Sequence, residues 1–166
     1  MNPQRYHLAQ FNLAKAKAPL DDPRMCGFVE QLRPINALAD QSPGHLWRLH
    51  TESGDATAIR TYPEDTSLLL TLSVWTSIDA LFEFTYRGPH AEVMRNRASW
   101  FDAIKECYLV LWFVPVGTLP SLDEAKERLA HLRAHGPTPR AFTFKTRFSP
   151  EEAEDYNFLD EGVETS

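Results

Sequence analysis

Cysteine is scarce in this sequence. Cys26 and Cys107 are the only two, and no CxxC pair occurs, which excludes a zinc knuckle and a thioredoxin-like redox motif. Long apolar runs are missing too. The longest, LVLWFVPV at 109–116, is far short of the roughly 20 residues a membrane-spanning helix needs. The first residues, MNPQRYHLAQFNLAKAKAP, lack the uninterrupted apolar core and the cleavage site of a signal peptide. These absences point to a reduced, cytoplasmic protein with no membrane partner. No glycine-rich phosphate loop, dinucleotide fingerprint, GxSxG elbow or calcium loop is present, which removes the common nucleotide, hydrolase and calcium-binding classes.

An excess of positive charge is also absent. Lys and Arg number 17 against 23 Asp and Glu, a net charge of -6. Seven of the acids fall in residues 151–166 with no base among them, which leaves 16 acids and 17 bases in residues 1–150. A neutral body without a basic stripe speaks against nucleic acid as a partner. The acidic end reads as a solvated, disordered and dispensable tail.

What is present suits one domain over residues 1–150. The chain has 166 residues, 43% of them apolar, enough to bury about 70% of its extended surface on folding. Residues 5–13 have strand character and end before a loop at Lys15–Pro19. Asp22 followed by Pro23 is a helix start, and Met25, Phe28, Val29, Leu32, Ile35 and Ala39 recur at helical spacing over 23–41, with Pro34 expected to bend or split the helix. Residues 45–52 and 56–62 read as a hairpin turning at Ser53-Gly54-Asp55. The strand over 67–75 is the clearest: Leu68, Leu70, Leu72 and Val74 form one face, Leu69, Thr71, Ser73 and Trp75 the other. Thr76 and Asp79 form a capping box for a short helix that Arg87-Gly88-Pro89 breaks, and a second helix is expected over 90–104. Residues 107–114 form a central strand, Ser121 and Glu124 cap a helix that ends at Gly136-Pro137, and Phe142, Phe144 and Phe148 alternate as in an edge strand.

This order is a ferredoxin-like βαββαβ unit with additions, an α+β fold whose antiparallel sheet carries helices on one face. The mixed Trp75 face then needs a cover. A homodimer that packs two sheets into an α/β barrel supplies one.

The segment SVWTSIDALFEFTYRGPHAEVMRNRASWF at 73–101 resembles the third strand and following helix of the dimeric α/β-barrel proteins, which include antibiotic-biosynthesis monooxygenases and heme-degrading monooxygenases. Trp75 and His90 match their pattern of a strand ending in Trp, a capped helix, and a His beyond a break. From HLAQFNLAKAKAPLDDPRM to GPTPRAFTF the chain is similar to the bacterial family known as domain of unknown function 3291. The resemblance implies the barrel fold and leaves the activity open.

His90 follows Gly88-Pro89 and so sits in a first helical turn, where the helix dipole keeps imidazole neutral, the form a general base or heme ligand needs. His90, Met94, Arg97, Phe101 and Ile104 fall on one helical stripe. Arg97 facing a cavity is a clamp for a carboxylate or enolate, with an ordinary ion pair as the plainer reading. Trp75, and Trp47 on an alternating face with His45 and Leu49, suit the walls of a site for flat ligands; Trp100, Trp112 and Cys26 read as packing. The resemblance also sets Asn12 beside the Asn that heme-degrading members place over the heme. His131 and His135 have metal-compatible spacing but no third ligand, so no metal is expected. The reading is a small-molecule enzyme of the monooxygenase-like class acting on an aromatic or polyketide-like substrate without a cofactor. His90 would be its base, Arg97 its anion stabiliser, and Trp75, Trp47, Asn12, Met94 and Phe101 its substrate contacts. The alternatives are heme held by His90, and a non-catalytic dimer that binds a small ligand.

Overall fold

The computed structural model describes residues 5–51, 57, 59, 62–87, 91, 95 and 97–156. The long first strand, β1 (Tyr6–Ala16), organises the sheet. It runs three residues past the expected end, because Lys15 and Ala16 find partners on both sides. One edge pairs antiparallel with β3 (Leu68–Trp75), from Leu8 opposite Trp75 to Lys15 opposite Leu68, and β2 (His45–Arg48) lies outside β3. The other edge pairs with β5 (Leu109–Pro115) along Tyr6–Asn12, and with the two-residue β4 (Phe101–Asp102) at Lys15 and Ala16. The order β2-β3-β1-β5 with every neighbour antiparallel is the ferredoxin-like arrangement read from the sequence.

Several boundaries differ. The helix expected over 90–104 is helical at 91, 95 and in α3 (Arg97–Trp100) but turns into β4 at Phe101, where the open end of β1 offers ladder hydrogen bonds. The second hairpin strand does not form at the described positions of 56–62. The edge strand expected at 142–148 reduces to one bridge, Phe142 to Leu111. Pro34 does not split α1 (Cys26–Gln41), which follows a 3-10 turn at Pro23–Met25 capped by Asp22. Pro34 and Glu30 are exposed, so the carbonyl that loses its N–H partner reaches water.

Alternation divides the sheet into two unlike faces. Ala9, Phe11, Leu13, Leu70, Leu72 and Val74 form a dry face with Val110, Trp112 and Val114, and Ala125, Leu129 and Leu132 pack on it. Those three belong to α4 (Leu122–His135), which starts where Ser121 Oγ accepts the Glu124 N–H at 3.1 Å and stops at Gly136. The opposite face carries Leu8, Gln10, Asn12, Thr71, Ser73 and Trp75 and lies under α1 and α2 (Ile78–Arg87). The two helices of the ferredoxin-like unit thus share one face, and the appended α4 covers the other, so the sheet as a whole is not helical on one face only. The cover that a twofold barrel was invoked to give the Trp75 face is supplied by the chain's own α1 and α2.

The acidic end is not wholly a tail. Residues 150–156 are helical. Ser149 and Glu152 cap each other reciprocally, each bond 3.1 Å, Ala153 is buried, and Tyr6 Oη donates to Glu154 Oε1 at 2.9 Å. Cys26 is exposed rather than packed. Among the described residues, no helix is long and apolar enough to cross a membrane.

Candidate functional site

A cavity of about 460 Å³ lies between the mixed sheet face and helices α1 and α2. Its floor is a polar line produced by strand register. Gln10 is opposite Ser73, and Asn12 is opposite Thr71, so alternation sets all four on the cavity side with Trp75 at the end. Trp75, Ser73, Gln10 and Thr71 are hydrogen-bonded in sequence. Trp75 Nε1 donates to Ser73 Oγ at 3.0 Å, Ser73 Oγ donates to Gln10 Oε1 at 2.8 Å, and Gln10 Nε2 donates to Thr71 Oγ1 at 3.0 Å. Gln10 and Ser73 are 6% and 7% exposed, and these bonds offset the cost of burying them. Asn12 stands outside the chain of bonds: its Oδ1 is buried without a partner among the described residues.

The walls are apolar and aromatic. Phe28, Leu32 and Ile35 of α1 face the space, as do Leu81 and Phe84 of α2. Phe84 lies 5.3 Å from the Trp75 ring, and Phe28 meets Phe101 edge-on at 4.8 Å. Tyr86, 47% exposed, and Phe144 stand 5.6 Å apart at the solvent side.

Two arginines reach the cavity and differ in state. Arg48 is paired with Asp40, Nε to Oδ1 at 2.8 Å and Nη2 to Oδ2 at 3.2 Å. This fork holds the Asp40 carboxyl below the usual carboxylate range. Arg97 has no hydrogen bond or ion pair with any described residue. Its guanidinium lies over the Tyr108 ring, 5.2 Å from the centroid, and lines the cavity. The ion pair expected as the plainer reading of Arg97 is therefore missing among the described residues.

Of the residues expected at a site, Trp75, Asn12, Arg97 and Phe101 converge here. Phe101 arrives from β4 rather than from a helical stripe. His90 and Met94 lie outside the described residues. Trp47 does not reach the cavity. The β2–β3 register shifts between His45 and Trp47, so His45 is opposite Trp75 while Trp47 is opposite Val74, and Arg48 is opposite Ser73. The bulge sends Trp47 to the dry face, where it packs on the core, and turns Arg48 inward. His45 stays behind Trp75, edge-on at 4.9 Å, its Nε2 buried without a partner among the described residues. Burial pushes its pKa below the usual histidine value. Sequence reasoning missed Gln10, Tyr108 and Arg48; the alternation of Gln10 and Asn12 along β1 was the available signal for the first.

The model of the family described as Domain of unknown function (DUF3291) matches residues 7–158. The chain belongs to this family. Three solved structures are similar to this DUF3291 member, each over 72% of its length. One is NE2512, a protein of unknown function from Nitrosomonas europaea, with 14% identity, 99% of that chain covered and a TM-score of 0.45. Another is PA3566 from Pseudomonas aeruginosa, with 13% identity, 100% coverage and a TM-score of 0.44. A third is a provisional antibiotic biosynthesis monooxygenase from Nitrosomonas europaea, with 15% identity, 96% coverage and a TM-score of 0.42. No curated protein matches the DUF3291 chain.

Proposed function

We propose that the cavity binds a flat aromatic or polyketide-like molecule and that the chain acts on it as a monooxygenase-like enzyme without a bound organic cofactor. The observation that carries this reading is Arg97, a guanidinium with no ion-pair partner among the described residues, on the wall of an aromatic-lined space of about 460 Å³. Such a cation stabilises charge that develops on a substrate oxygen. In the proposed reaction a base, assigned to His90, removes a proton from an activated CH2 group. Arg97 holds the resulting enolate oxygen. Molecular oxygen is the oxidant: the CH2 becomes a carbonyl, and the second oxygen atom leaves with both hydrogens as water.

The test uses anthrone and 1,8-dihydroxyanthrone with the full chain. Saturable quenching of tryptophan fluorescence is expected, since Trp75 lines the cavity, with oxygen uptake above the uncatalysed rate. Arg97→Gln should weaken binding of the anion at least tenfold, the effect of a charge-assisted hydrogen bond of about 1.5–3 kcal/mol. Binding without oxygen uptake overturns the enzymatic part, and absence of saturable binding overturns the whole reading. A Soret band in protein from iron-supplemented cells would replace it with heme binding.

A further inference from the structure

We infer that the cavity is polarised along β1 and takes an aromatic acid bearing a hydroxyl group, with its polar head at the Asn12–Thr71–Arg97 end and its aromatic body against Trp75. The inference rests on the reading of this cavity as a small-molecule site, and it adds the chemistry and direction of the ligand.

The direction follows from the floor. An indole N–H can only donate, so the bond from Trp75 to Ser73 has one sense. Ser73 then spends its single proton on Gln10 Oε1. That fixes the amide of Gln10, whose Nε2 must donate to Thr71 Oγ1. Thr71 accepts and keeps its own proton. Among the described residues that proton is offered only Gln10 Oε1 at 3.5 Å, the outer limit of a hydrogen bond. The chain of bonds thus starts at a buried tryptophan and ends on a hydroxyl ready to donate.

Asn12 is the cross-strand neighbour of Thr71, and its Oδ1 is a buried acceptor without a donor among the described residues. Such a group is costly until a donor reaches it. A donor in Thr71 and an acceptor in Asn12, side by side, fit one ligand hydroxyl that accepts from the first and donates to the second.

The cation lies at the same end. The carbonyl of Tyr108 accepts the Leu13 N–H at 2.8 Å, which fixes Tyr108 beside the Asn12–Ala14 stretch, and Arg97 lies over the Tyr108 ring. Trp75 is opposite Leu8, four residues or about 13 Å further along the strand, with Phe84 and Leu81 around it. Arg48 faces Ser73 but is neutralised by its fork to Asp40, so among the described residues the Trp75 half offers no competing cation. Charge and hydroxyl recognition therefore converge at one end, and aromatic surface fills the other.

The experiment is calorimetric titration of the full chain with 4-hydroxy-2-naphthoate, 2-naphthoate and 2-naphthamide. The acid is expected to bind about ten- to a hundredfold more tightly than the amide, the range of a hydrogen bond to a charged group, and the hydroxyl to add about tenfold. Arg97→Gln should abolish the preference for acid over amide, and Arg97→Lys should restore part of it. Asn12→Leu should remove the gain from the hydroxyl and leave the acid preference intact. Thr71→Val should do the same and serves if the Asn12 variant fails to fold. Equal affinity for acid and amide, or an acid preference that survives Arg97→Gln, overturns the inference. If all three probes bind equally and Trp75→Ala abolishes binding, the polarity is refuted while the cavity stands as a ligand site. If none binds, both fall.

Discussion

Gly44, in the loop between α1 and β2, packs against the start of α2, and its replacement by alanine tests how tightly α2 is held over the cavity. Its φ is +85°, and its carbonyl accepts the Thr76 N–H at 2.7 Å. A β-carbon on Gly44 would lie 2.5 Å from Ala80 Cβ and 2.6 Å from Thr76 Oγ1. Neither atom can yield cheaply, because both are short stubs on backbone that starts or forms α2. Gly117 provides the control: its φ is +87°, and a β-carbon there meets nothing within 4 Å. Both alanines pay about 1–2 kcal/mol for a left-handed backbone and regain about 0.4–1 kcal/mol through a stiffer unfolded chain. Only Gly44→Ala adds overpacking, about 1–3 kcal/mol. Urea unfolding with equal slopes should therefore find Gly117→Ala about 1 kcal/mol less stable than wild type and Gly44→Ala less stable still by the overpacking amount. The Gly44 variant should also weaken aromatic probes, since a displaced α2 carries Leu81 and Phe84 away from the cavity. Equal losses at the two glycines would show that the contact with Ala80 and Thr76 costs nothing, and the account of α2 as fixed by Gly44 would be wrong.

Two further outcomes are expected. Deleting 151–166 should lower the urea midpoint by the equivalent of about 1–2 kcal/mol, because it removes buried Ala153, the Ser149–Glu152 cap and the Tyr6–Glu154 bond; an unchanged midpoint would show that this turn contributes nothing. Stability should be full above about pH 6.5, the unfolded histidine value, and fall as pH drops from there toward the lower folded pKa of His45. Burial opposes its charge, with Arg48 acting in the same sense and Asp40 against it, so the unfolded chain binds a proton that the folded chain resists. Asp22, Asp40 and Asp65 are held low and titrate below this window. His45→Gln should flatten the dependence of melting temperature on pH between 7 and 5; a slope unchanged in that variant would assign it to other groups.

How far the sequence was legible follows from which periodicity each element obeys. Leu70, Leu72 and Val74 against Thr71, Ser73 and Trp75 is a plain period of two, and it located both the strand and the cavity face. The same period failed at β2, because a bulge adds a residue that alternation cannot see; His45 and Trp47 are two apart in sequence yet on opposite faces. Arg97 was legible as a charged member of an apolar stripe, but the absence of a partner among the described residues is a tertiary fact.

The placement of α4 was the larger failure, and its cause is instructive. Leu122, Ala125, Leu129 and Leu132 announced an apolar helix face but not the side of the sheet it would take. From the sequence, the mixed Trp75 face is the one expected to need a cover. Burial physics favours the other choice. A face of Ala9, Phe11, Leu13, Leu70, Leu72 and Val74, with Val110, Trp112 and Val114, gains most from being sealed dry, and α4 is a helix outside the ferredoxin-like unit. A face holding Gln10, Asn12, Thr71 and Ser73 cannot be sealed dry without partners for its polar atoms. It stands off from α1 and α2, and the space between them is the cavity.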